Sequence, residues 1–184
     1  HTNEGIDIKP FYHSDEAQEF SEVPGTPTQW SIAEDIFITD ATKAAQIAND
    51  CLASGTEALY FIADAPFDIT SIFASLTQKA PSLYLKLQFL DEAFYTQLIQ
   101  ESGDREIYLN LDLIHHLAEE GNWFHNLKED HHILDTLLKH QKNTLSIDID
   151  LYQNAGATMV QQLAYGLAHA NEYLMHAETL GHAV

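Results

Sequence analysis

Residues 145–151, LSIDIDL, alternate apolar and polar side chains, which puts Ser146, Asp148 and Asp150 on one face of a strand. Two carboxylates so placed could divide the roles of general acid and general base. In a chain this acidic the plainer reading is structural, with the acids held by Lys86 or by tyrosine hydroxyls. The turn Asn154-Ala155-Gly156-Ala157 follows, where a helix N-terminus could receive an anion. A tight turn that needs glycine is the simpler use. Eleven histidines raise metal binding. The adjacent pairs His115-His116 and His131-His132 point about 100° apart on a helix and do not readily share one ion. Asp130, His131, His132 and Asp135 lack the spacing of a standard ligand set and read as a solvated helix face.

Composition narrows the classes. Asp and Glu number 28 against 8 Lys and Arg, a formal charge of −20, and Arg105 is the only arginine. Such a surface repels nucleic acid and anionic membranes, so neither is expected as a partner. It is also poor in the groups that clamp phosphates. Cys51 stands alone, which excludes a disulfide framework and a cysteine metal site and suits a reducing cytoplasm. No apolar run approaches the ~18 residues of a membrane span, and no signal peptide is visible. A start at His1 rather than Met points to a trimmed chain.

The elements that would position these residues alternate regularly. Residues 1–29 form an irregular arm with one apolar run, IDIKPFY at 6–12, and residues 30–184 form the domain. Strands are expected at 31–39, 58–63, 83–90, 106–111 and 145–151. Helices are expected at 41–53, 69–78, 92–101, 127–140 and 158–177, with a short helical turn at 113–119. The last helix is expected to bury Val160, Leu163, Ala164, Leu167, Ala168 and Leu174. Strand–helix alternation implies a parallel sheet. Three strands also alternate in polarity: Tyr84, Lys86 and Gln88, then Tyr108, Asn110 and Asp112, then Ser146, Asp148 and Asp150 share one face. A sheet covered by helices on both sides is apolar on both. The expected fold is therefore α/β, a parallel β/α (TIM-type) barrel with a polar lumen, incomplete at about five of eight βα units. Within it Lys86 should pair with Asp112, Asp148 or Asp150, and Tyr84 and Tyr108 should occlude the passage. Unpaired strand edges and the apolar surface at Val160, Leu163 and Leu167 predict self-association.

The segments EGIDIKPFY (4–12), WSI (30–32) and SIDIDLYQNAGATMVQQLAYGLAHANEYL (146–174) resemble methylmalonyl-CoA mutase. The stretch EEGNWFHNLKEDHHILDTLLKHQKNTLSIDIDLYQNAGA resembles its small (beta) subunit. The resemblance runs in order along nearly the whole chain and implies the N-terminal part of the barrel domain. In that family the lumen admits a CoA ester, and a further domain binds adenosylcobalamin. Several pocket positions depart from the catalytic pattern. Where catalytic chains carry Tyr-His-Met-Gln-Glu-Ala-Gly-Ala, Asp150 and Leu151 replace the Tyr-His pair, ahead of Tyr152, Gln153, Asn154 and Gly156. The Tyr-His-Asn-Ala-Gly-Ala of small subunits loses its His to Gln153. The family's Trp-Thr-Ile-Arg-Gln becomes Trp30-Ser31-Ile32-Ala33-Glu34, with Ala33 in place of the arginine. A Pro-Phe-Thr-Arg-Gly stretch is missing, and Asp112 with His115 only superficially resembles a cobalamin-binding Asp-x-His-x-x-Gly pattern, since Gly121 is too distant. The resemblance thus implies a non-catalytic small subunit that supports a catalytic large subunit, with no catalytic, cofactor-binding or metal residue of its own. Two alternatives remain: an active acyl-CoA mutase chain with unusual residues, and an unrelated partial barrel binding a small polar ligand.

Overall fold

The computed structural model describes residues 1–16, 28–77 and 82–181. Four parallel strands, β1 (Ala33–Phe37), β2 (Ala58–Ala63), β3 (Ser82–Leu87) and β4 (Glu106–Tyr108), lie side by side in chain order. Between and after them run α1 (Ala41–Ala53), α2 (Ile69–Ser75), α3 (Glu92–Ser102), α4 (Leu113–Glu120), α5 (Leu127–His140), α6 (Asp150–Asn154) and α7 (Met159–Thr179). Among the described residues, no helix is long and apolar enough to cross a membrane.

Aspartates start the helices. Asp40, Asp68, Asp91 and Asp112 each accept a backbone N–H from the first turn of α1, α2, α3 and α4. Thr158 and Gln161 form a reciprocal capping box on α7. Gly103 ends α3 at φ 56°, ψ −123°, a conformation that excludes a Cβ for reasons of backbone strain.

One sheet face carries the core. Leu59, Phe61, Leu83, Leu85, Ile107 and Leu109 are buried against Ala44 and Ala48 of α1, Ile72 of α2, Leu98 of α3 and Leu134 of α5. The alanines of α1 let that helix approach the sheet closely. Neighbouring helices touch in sequence, α1 with α2, α2 with α3 and α3 with α5.

The expected fifth strand is largely absent. Leu145 forms a single parallel bridge with Leu111, supported by Leu109 N–H to Asn143 O (2.8 Å) and Leu111 N–H to Thr144 O (2.8 Å). Beyond it, side chains take the backbone donors that a ladder would use. Asp112 Oδ2 accepts the N–H of Asp148 (2.9 Å), and Asp148 Oδ1 accepts that of Asp150 (3.1 Å). The chain therefore turns into α6 instead of extending to residue 151. The expected strands at 31–39, 83–90 and 106–111 are likewise shorter. The expected helix 69–78 stops at Ser75, and its last position, Gln78, lies outside the described residues.

The orientation of α7 is also corrected. Val160, Leu163, Leu167 and Leu174 are exposed, as is Met159, while His169, Tyr173 and Ala177 are buried. Hydrogen bonds from the two polar aromatics, not apolar periodicity, choose the inner face.

Truncating Leu98, fully buried between α3 and the sheet, should cost about 2–5 kcal/mol in Leu98→Ala. Urea unfolding measures it. A loss below ~1 kcal/mol would show that the α3 contact contributes little to the core.

Candidate functional site

The sheet face away from the core is built in layers set by strand register. Ala33, Ala58, Ser82 and Glu106 form the first, and Asp35, Tyr60, Tyr84 and Tyr108 the second. Phe37, Ile62 and Lys86 follow in the third. The three tyrosines stack, Tyr60 on Tyr84 at 5.8 Å and Tyr84 on Tyr108 at 4.5 Å, with planes within 3° and 11°. In-register parallel strands force this, because each tyrosine's neighbour across the ladder is another tyrosine. The ladder is tied below: Tyr108 donates to Glu106 (2.8 Å), as does Ser82 (2.9 Å). These two bonds hold the Glu106 carboxyl below its usual range, the Tyr108 bond foremost.

Charged groups gather at the C-terminal strand ends. Lys86 Nζ lies 3.2 Å from Asp148 Oδ2. His115 places Nδ1 3.2 Å from Asp148 O and Nε2 3.1 Å from Glu119 Oε2. Burial lowers the basicity of Lys86, but the hydrogen bond and charge of Asp148 outweigh it, so the ammonium is stabilised overall. Asn110 adopts a left-handed backbone, φ 48°, and its amide donates to Tyr60 OH at 3.2 Å.

Behind this cluster sits a saturated carboxylate. Asp112 Oδ1 receives the Tyr173 hydroxyl (2.9 Å), His169 Nε2 (2.8 Å) and the His115 N–H (2.9 Å), while Oδ2 receives the Asp148 N–H. His169 Nδ1 faces Tyr152 OH at 3.3 Å, which makes a continuous line Tyr152–His169–Asp112–Tyr173. Burial alone would raise the Asp112 pKa. The bonds from His169 and from the backbone of Asp148 and His115 outweigh it and hold the carboxyl below its ordinary 3.8. The Tyr173 hydroxyl is pushed far up, first by burial and then by the Asp112 charge.

The structure brings Lys86, Asp112 and Asp148 into one cluster, although Asp112 pairs with His169 and Tyr173 rather than with Lys86. The other positions are dispersed. Trp30 and Ala33 line an open hollow of ≈ 830 Å³ at the N-terminal strand ends, together with Ser31, Glu57, Tyr60 and Tyr84. Asp150, Leu151, Tyr152, Gln153 and Asn154 form α6 beyond the other end of the sheet, and Gly156 follows at φ 87°. His169 and Tyr173 escaped the sequence reading. Their spacing with Ala177, four residues apart each time, was the available signal of an inner helix face. Among the described residues, no group of three or more His, Cys, Asp or Glu is arranged to hold a metal ion. No protein-family model matches the chain, and no curated protein matches it.

Asp112→Asn should destabilise the fold by about 3–5 kcal/mol, because an amide offers His169 and the backbone N–H groups one acceptor fewer. The sign with pH follows from the lowered pKa. In the unaltered chain the Asp112 contribution is complete above its unfolded value and is lost as pH falls through the lower folded one. Denaturant unfolding across the acid range checks this. The same acid-limb slope in D112N as in the parent chain would contradict it.

Proposed function

We propose that the chain is the N-terminal barrel part of the non-catalytic small subunit of a methylmalonyl-CoA mutase. On this reading the parallel sheet belongs to a TIM-type barrel, its tyrosine-bearing face is the lumen, and the protein is cytoplasmic. Its role is structural, as partner to a catalytic large subunit that interconverts succinyl-CoA and methylmalonyl-CoA.

The observation that carries the proposal is how the inward face is occupied. A lumen that admits a CoA ester needs an open path and cationic groups for its phosphates. Here Tyr60, Tyr84 and Tyr108 stand across the strands, and Lys86 is engaged with Asp148. Arg105, the only guanidinium, is used elsewhere: Nη2 donates to Phe73 O (3.2 Å), Nη1 to Ser102 O (3.4 Å), and its carbon lies 5.1 Å from the Phe73 ring. The resemblance of residues 4–12, 30–32 and 146–174 supplies the family.

Adenosylcobalamin would supply the radical chemistry of the holoenzyme. The residues here do not fit it. At the strand ends Lys86 is engaged by Asp148, and both nitrogens of His115 face oxygens of this chain. No step of this chain runs through the cofactor.

Two measurements follow. Calorimetric titration with a CoA ester should give no saturable heat, and a micromolar dissociation constant would overturn the non-catalytic reading. The exposed Val160, Leu163 and Leu167 should drive association. Light scattering should then show species above the 20.7 kDa chain, replaced by a defined complex when a catalytic large subunit is added. A lone monomer that ignores the large subunit would contradict the proposal.

A further inference from the structure

We propose that the cavity at the C-terminal ends of β3 and β4 is a binding site for a small uncharged carboxamide. The inference does not rest on the mutase reading. The cavity measures ≈ 50 Å³ and is lined by Tyr60, Lys86, Asn110, His116, Ser146 and Asp148, among others. That exceeds the ~10–15 Å³ needed to admit one water and limits a ligand to the smallest planar amides, acetamide among them. It also occupies the strand-end position where parallel β/α folds place their ligands.

Its polar groups match an amide. Lys86 Nζ and Asp148 Oδ2, 3.2 Å apart, set a donor beside an acceptor. A primary carboxamide sets an acceptor beside a donor, so its oxygen meets Lys86 while its NH₂ meets Asp148. Asn110 reinforces the pattern. Its left-handed backbone aims the side-chain amide at the Tyr60 oxygen, leaving the Tyr60 hydroxyl hydrogen free to donate to a ligand carbonyl. Also in the lining, the His116 ring lies flat on Phe124, centroids 3.5 Å apart and planes within 5°. Burial foremost keeps the His116 pKa below its ordinary 6.5, so the wall is uncharged at neutral pH and suits a planar molecule.

Charge decides against the ionic relatives of an amide. An anion would compete with Asp148 for Lys86 and meet the carboxylates of Asp148 and Asp112, both of which line the cavity. A cation would compete with Lys86 for Asp148. Neither gains a counter-charge that is not already engaged.

The test is titration of the 184-residue chain with acetamide, followed by backbone ¹H–¹⁵N shifts. Saturable shifts in the millimolar range are expected around Asn110, Ser146 and Asp148. The isosteres acetate and acetamidinium should bind about tenfold more weakly or worse, the cost of an uncompensated charge. Lys86→Met removes the principal donor and should lose about tenfold in affinity. Because K86M also leaves Asp148 without its cation, Tyr60→Phe provides a second variant that keeps every charge and the ring stack. It should weaken acetamide about fivefold. Shifts that rise linearly and spread over the surface would overturn the proposal. So would acetate or acetamidinium binding as tightly as acetamide, or affinity unchanged in both variants.

Discussion

The Asp112 carboxylate is the junction on which the second half of the molecule depends. Its two oxygens take four donors: the first turn of α4, the backbone of Asp148, and the side chains of His169 and Tyr173. Three separate stretches of chain thus converge on one ionised group, and an acceptor-only side chain is the kind that can satisfy them all. The consequence for α7 is direct. Of its 21 residues only His169, Tyr173 and Ala177 are buried, so polar geometry places this helix more than apolar area does. Steric closeness assists where Gly166 passes Ile149: a Cβ there would lie 2.9 Å from Ile149 Cγ2.

The same junction ends the sheet. By taking the N–H of Asp148, Asp112 withdraws a donor that a fifth strand would have spent on its ladder. Asp148 then repeats the device on Asp150. Diverted in this way, the 145–150 segment delivers the Asp148 carboxylate to Lys86 instead of extending the face beyond β4. The shortened strand, the delivery of Asp148 to Lys86 and the seating of α7 are therefore consequences of one buried charge.

Much of this was legible in the sequence where local rules act alone. The parallel β/α order, the starts of α1, α2 and α3 at Asp40, Asp68 and Asp91, and the alternation that puts Tyr84 and Lys86 on one face all follow from period and capping. The fifth strand was misread because LSIDIDL has the right period. Nothing local announces that Asp112, thirty-six residues earlier, claims its backbone. The same blindness affected α7. Val160, Leu163 and Leu167 form the stronger apolar stripe, and by burial of apolar area alone they should face inward. The weaker stripe of His169 and Tyr173 wins because a carboxylate from another element meets it. Trp30 and Ala33 lie at one end of the sheet and the residues of α6 at the other, a separation that only topology reveals.

The capping aspartates give the acidic charge of this chain a divided response to salt. Asp40, Asp68, Asp91 and Asp112 hold backbone N–H groups at the positive ends of helices, through hydrogen bonds far shorter than a Debye length, which salt weakens less than repulsion between distant charges. Most other carboxylates repel one another across water, over distances comparable to a Debye length. Electrolyte quiets the second population more than the first. Brine therefore favours the compact state of this protein, and dilution to low ionic strength strains it, the reverse of a fold held together by surface ion pairs.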